Sequence, residues 1–303
     1  MARLIEVRDP TSATLEECCE ALTVWGFDPA EGESISHAAS WLGRLGNDRS
    51  FLADCLIDWL AGRRSVGEAS VAVDGAQANR ILLSTPGRGD FAIVASIWPS
   101  PQEAVFRASG ARAFGYGVAH DHNFDFLRLG YFGPGLTVDD FEYDHTQVEG
   151  WHDEPVDLRL LGRTQFDRGR LVHYRANRDV QLHHPPQSLS ASLAVVHLHP
   201  AQGWTDHYLF DVDAGRISRV LGHGPSEAFL RIAVGLGSEE AKDLAIRFGR
   251  HHPSARMRIA AWRALASVAK DEAARDEVWR EAENSGSRAV AATVRRLRGA
   301  EVP

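Results

Sequence analysis

Between about residue 79 and residue 221 the chain is written as short apolar runs separated by turn residues. No other feature of its 303 residues limits the fold as much. The runs span 80–83, 91–98, 126–132, 156–161, 171–175, 191–198 and 207–210. Gly87-Arg88-Gly89-Asp90, Gly133-Pro134-Gly135, Asp167-Arg168-Gly169 and Asp213-Ala214-Gly215 punctuate them. Many short strands at near-regular spacing predict a β-sandwich or a closed barrel.

The flanks have a different texture. From Thr14 to Ala61 apolar residues recur at helical spacing, as in Leu15, Cys18, Cys19, Leu22 and Trp25. Thr14-x-x-Glu17 is a capping box that opens the first helix, with Thr11 and Ser12 as neighbouring candidates. Segments 34–45 and 50–60 give two more amphipathic helices, read as a packing layer. From about Ser226 the chain is helical again, over 229–236, 239–249, 255–269, 273–284 and 287–298. The stretch from Ala255 to Leu265 is similar to a HEAT-type helix. One or two such units cannot stand alone, so a helical appendage is expected, serving homodimerisation or a protein partner. The expected division is a helical segment over 1–78 packed on the barrel, a metal-binding barrel over 79–222, and the appendage over 223–303.

Composition removes several classes of function. The chain is 44% hydrophobic and 24% charged, an ordinary globular balance. A formal charge of −8 argues against a nucleic-acid partner, since Arg295, Arg296 and Arg298 read as a solvated helix face. Cys18, Cys19 and Cys55 make an odd count with an adjacent pair, which fits reduced thiols in a cytoplasmic setting. The first residues lack a signal core, and no stretch approaches the roughly 18 apolar residues of a membrane span.

The chemistry concentrates in Gly115-Tyr116-Gly117-Val118-Ala119-His120-Asp121-His122. Side chains alternate along a strand, so His120 and His122 share a face and Asp121 turns away. Two neutral imidazoles supply two ligands of a facial metal site suited to Fe, Zn, Cu or Ni. Downstream, His183 and His184 precede a turn, and either completes a triad. His197 and His199 share a face on a further strand and line a pocket or support a ligand. No Glu lies within the few residues after His122; Glu142 and Glu149 come later and are weaker candidates. His152-Asp153-Glu154 sits between Gly150 and Pro155 and reads as a loop.

Over roughly residues 79–200 this arrangement resembles the cysteine dioxygenase-like branch of the cupins, a three-histidine non-haem iron group. His120-Asp121-His122 looks like the paired ligands of that family. Leu182-His183, followed by Pro185 and Gln187, looks like its third-ligand segment, which favours His183 over His184. His197-Leu198-His199-Pro200 stands where the family has a His and a Tyr beside its metal ligands. Arg80 looks like its substrate-carboxylate arginine. Four positions depart from the pattern: Leu127 holds the place of the crosslinking Cys, His199 that of the Tyr, Val195 that of a Ser, and Ala78 that of the Tyr before the arginine.

The resemblance implies a mainly β, cupin-like jelly-roll barrel with flanking helices. It implies Fe(II) on His120, His122 and His183, with His197, His199 and Arg80 as catalytic residues. The expected activity is that of an oxygenase joining O2 to a small polar substrate, amino-acid-like or thiol-bearing. Two alternatives stand beside it. One is a non-oxidative cupin enzyme using Zn, Mn or Ni, and the other is a non-enzymatic metal-binding module.

Overall fold

The protein is described by a computed structural model covering residues 3–63, 79–84, 89–199, 202, 205–221 and 226–300. Ala78, the Gly87-Arg88 turn, Pro200 and the expected boundary at 222/223 lie outside the described residues.

The strands are β1 (Arg3–Ile5), β2 (Arg80–Leu82), β3 (Phe91–Trp98), β4 (Ala119–His120), β5 (Phe126–Phe132), β6 (Thr137–Glu142), β7 (Arg159–Gln165), β8 (Leu171–Tyr174), β9 (Asp179–His184), β10 (Ser190–His197), β11 (His207–Asp211) and β12 (Arg216–Leu221). One sheet has the order β1-β8-β5-β10-β3-β2, and in the second β11, β4, β9, β6 and β7 follow one another. The pairings nest: β3 with β10, β4 with β9, β5 with β8, and β6 with β7, all antiparallel. A long ribbon of paired strands folded over in this way is a jelly roll, the architecture of cupins. The sheets therefore form a cupin-like jelly roll, built as two sheets rather than as one closed barrel.

Alternation along the strands divides two cores. On β5, Leu127 and Leu129 face one way and Phe126 and Arg128 the other. Leu127, Leu129, Ile93, Leu193 and Val195 join a cluster with the N-terminal helices α1 (Leu15–Trp25), α2 (Gly32–Asn47) and α3 (Phe51–Leu60). Phe126, Val94, Trp98, Val172, Tyr174 and Val196 form the jelly-roll interior. The capping box at the start of α1 is complete, with Glu17 N–H on Thr14 Oγ1 and Thr14 N–H on Glu17 Oε2. Helix α2 approaches the sheet through Gly46, where a Cβ would overlap Leu129 Cδ2. Leu22, Leu42 and Leu45 are fully buried there, each contributing about 1.5–3 kcal/mol by removal from water. The N-terminal helices therefore belong to the same compact unit as the sheets, which is drawn from Met1–Asp144, Asp157–Gln202 and Leu209–Gly215. The short helix α4 (Ala104–Ser109) lies within this unit.

A second unit comprises His145–Val156, Gly203–Tyr208 and Arg216–Pro303. It contains α5 (Ser226–Gly235), α6 (Glu239–His251), α7 (Ala255–Ser267), α8 (Glu272–Glu283) and α9 (Arg288–Ala300). Ser238, Ser254 and Asp271 cap α6, α7 and α8 with side-chain oxygens. Trp262, buried on α7, donates Nε1–H to Gly249 O at 3.0 Å and pins α7 to α6. This unit also takes in residues far upstream of the expected start at 223. The Glu149 carboxylate accepts hydrogen bonds from Arg288 Nε and Ala289 N at the start of α9, at 2.7 and 2.6 Å. Among the described residues no helix is long and apolar enough to cross a membrane.

Candidate functional site

Gly115 and Gly117 have φ of +74° and +71°, a region that favours glycine, and they turn the chain into β4. There His120 pairs with Gln181 of β9. The His120 and His122 rings lie 5.0 Å apart, and the His183 ring lies 5.1 Å from that of His120. All three residues are buried. Asp121 turns the other way, and Tyr143 donates its hydroxyl to Asp121 Oδ2 at 2.6 Å. Strand alternation also separates the two downstream histidines. His183 faces His120, while His184 Nε2 lies 2.8 Å from Asp139 Oδ2, where Arg163 also binds.

His120 Nδ1 lies 2.9 Å from Val118 O. A carbonyl accepts only, so Nδ1 carries the proton and Nε2 presents its lone pair. This is the tautomer a metal-ligating histidine needs. Burial, with Arg128 as the next cause, pushes the His183 pKa well below its usual value, so its ring is neutral.

Arg128 stands in the interior beside His183. Its Nη1 donates to Gln181 Oε1 at 2.9 Å and lies 3.0 Å from His183 Nε2. Its guanidinium carbon is 5.2–5.6 Å from the ring centres of Phe126, Trp98, Phe166 and Tyr174, spacings at which a cation is held by ring faces. Tyr174 donates its hydroxyl to Asp140 Oδ1 at 2.9 Å. Burial raises the Asp140 pKa to about 6. Sequence reasoning missed Arg128. The available signal was a charged residue inside the apolar run Phe126-Leu127-Arg128-Leu129, two positions from Phe126 and so on its face.

Arg80 and Arg128 line one small cavity with His122, Ser96, Phe124 and Phe126. Its free volume is about 20 Å³, room for about one water. Arg80 keeps part of its surface in solvent, yet burial and the like charge of Arg128 draw its pKa down to about 9. Thus Arg80, His122 and Arg128 are brought together.

His197 and His199 are not brought to this site. His197 follows Leu193 and Val195 on the helix-facing side of β10 and packs edge-on against Phe27, ring centres 5.9 Å apart. His199 lies next to it, rings 5.9 Å apart. Leu127 likewise faces the helices. Glu142 is engaged by Arg159 and Arg175, and Glu149 holds α9. Glu154 accepts from the N–H groups of Glu149, Gly150 and Trp151, as a loop-stabilising carboxylate does.

The donors fit a metal ion in kind. Three buried imidazoles lie together, His120 on β4, His122 two residues on and His183 on β9; burial keeps the His183 ring neutral, and His120 is held with its proton on Nδ1. Among the described residues, however, no group of three or more His, Cys, Asp or Glu side chains is disposed as a completed metal cage. His183 Nε2, shared between Arg128 and Gln181, is the donor that stands apart.

No family model matches the chain, and no curated protein matches it. Solved structures do show likeness at low identity. A hydroquinone 1,2-dioxygenase from Sphingomonas sp. TTNP3, solved with 4-hydroxybenzoate bound, is 13% identical with a TM-score of 0.27; the match covers 44% of this chain and 74% of that one. A DMSP lyase from Ruegeria pomeroyi DSS-3 is 14% identical with a TM-score of 0.26; the match covers 50% of this chain and 64% of that one, less than two thirds of its length. A sugar phosphate isomerase from a cupin superfamily, from Silicibacter pomeroyi, is 12% identical with a TM-score of 0.26; the match covers 50% of this chain and 82% of that one.

Proposed function

We propose that this protein is a mononuclear metal-dependent cupin enzyme, and that its activity is that of a non-haem iron oxygenase. The supporting observation is the convergence of the His120, His122 and His183 rings, with His120 Nδ1 held by Val118 O. His120, His122 and His183 would hold Fe(II), which supplies the redox chemistry that joins O2 to a substrate. Arg80 binds an anionic group of that substrate through its planar fork. Phe124, Phe126 and Trp98 keep the interior dry, which strengthens every polar contact made there. The Val118 carbonyl keeps the His120 proton on Nδ1. The substrate is a small polar molecule, amino-acid-like or otherwise carboxylate-bearing.

The test is O2 consumption by protein reconstituted anaerobically with Fe(II) and offered small amino acids, thiol carboxylates and hydroxy acids. Uptake lost in His120→Ala and His122→Ala supports the reading. Turnover that proceeds without O2 points to the non-oxidative enzyme with Zn, Mn or Ni instead. Metal binding with no turnover of any kind points to a binding module.

A further inference from the structure

Arg128, buried, and Arg80, half-buried, line one cavity and form a cationic centre, and its free volume of about 20 Å³ widens for an anion only as Arg128 shifts. Arg128 is 3% exposed, and its hydrogen-bond partners, Gln181 and His183, are both neutral. Asp140 acts on it only at longer range, and its oxygens are engaged by Tyr174 and Thr164. A buried charge without a close counter-charge is costly, and an anion entering the cavity offsets that cost. The walls between the arginines carry Ser96 and apolar side chains, with no carboxylate to compete.

The same guanidinium restricts the third histidine. Nε2 of His183 lies within hydrogen-bonding distance of both Arg128 Nη1 and Gln181 Oε1. If Nε2 accepts from Arg128, its lone pair is occupied. If Nε2 carries the proton and donates to Gln181, it has no lone pair in the ring plane. Either assignment closes that nitrogen to a metal.

We infer that a small carboxylate binds between Arg80 and Arg128 and draws Arg128 away from His183, so that carboxylate and metal bind cooperatively. This rests on the metal-enzyme reading above. An anion that turns Arg128 toward the cavity frees Nε2 of His183. A metal ion that claims Nε2 repels Arg128 toward the anion. Linkage makes the coupling reciprocal.

The experiment is Co2+ titration of the metal-free full-length protein, read by its visible absorption, with and without formate or acetate at constant ionic strength. Wild type is expected to bind Co2+ at least about fivefold more tightly with carboxylate present, the lower bound of a typical coupling. Arg128→Met is expected to bind Co2+ tightly without carboxylate and to lose the response. Arg80→Met is expected to show a weaker carboxylate response than wild type, each protein being compared with its own affinity without carboxylate. Thermal melts of all three proteins establish that they are folded, and Arg128→Lys stands in if Arg128→Met is not. Equal Co2+ affinity with and without carboxylate in wild type overturns the inference and leaves the metal reading intact. A carboxylate response preserved in both arginine variants means direct ligation of the ion, which also overturns it. Absence of Co2+ binding under every condition overturns both.

Discussion

Nη1 of Arg128 lies 3.0 Å from Nε2 of His183, so a buried cation sits against the very imidazole that would complete a three-histidine site. The pair belongs to β5 and β9, one strand from each sheet of the jelly roll. It explains how three histidines can converge while one of them stays withheld.

Replacing the interior histidines and the helix-facing ones should separate cleanly. His120→Ala and His122→Ala are expected to lose bound metal, because each removes a donor from the converging set. His197→Ala is expected to keep it, since His197 packs against Phe27 on the other side of the sheet. Metal content per chain after gel filtration, by elemental analysis, checks both.

Asp140 should give stability a negative pH slope. Its pKa is raised by burial from 3.8 to about 6 in the folded state. Between about pH 4 and pH 6 the folded protein therefore holds a proton the unfolded chain has released, and stability falls as pH rises through this window. The group's full effect is on the order of 2–3 kcal/mol from its shift. Burial also raises Asp206 to about 6, which adds a slope of the same sign. Urea unfolding of wild type and Asp140→Asn at pH 4.5 and 6.5 isolates the Asp140 share, and the variant should show the flatter dependence.

Gly135→Ala should be among the most damaging single changes in the first unit. Gly135 has φ of +77°, and a Cβ there would overlap the backbone of Phe166. Left-handed strain adds about 1 kcal/mol, and displacing backbone adds more. Thermal melts should show a large loss of stability, or no folded protein. Gly169→Ala, where φ is also positive but the space is open, should cost far less.

Leu42→Ala tests whether the N-terminal helices are part of the sheet's own core. Leu42 is fully buried in the cluster shared by α2 and the sheet. A cavity there should cost about 2–5 kcal/mol. Denaturant unfolding should remain one transition for this unit. An earlier, separate loss of helix would mean that α1 to α3 fold independently.

Much of this was legible in the chain because the relevant signals are local. The runs at 91–98 and 126–132 coincide with β3 and β5, and Thr14 and Glu17 cap α1 as their spacing required. Strand alternation pairs His120 with His122 from the sequence, whereas the choice of His183 over His184 comes from the family resemblance. What could not be read comes from pairing distant in sequence. Strand β6 carries Asp139 and Asp140 inside an apolar pattern, which hid it until β7 and β9 were seen to flank it. Likewise His145–Val156 joins the second unit through Glu149 and α9, a contact between residues 149 and 289. His197 lies on the helix-facing side of β10, which depends on the helices packed there, and no local pattern in the sequence reports it.

The most direct test of the histidine-centred account is an anomalous-difference map from crystals grown with Fe(II) under anaerobic conditions. The account predicts one iron peak in the jelly-roll interior, within bonding distance of His120, His122 and His183. Iron found elsewhere, or an interior in which Arg128 keeps His183 and no peak appears at full iron loading, would contradict it.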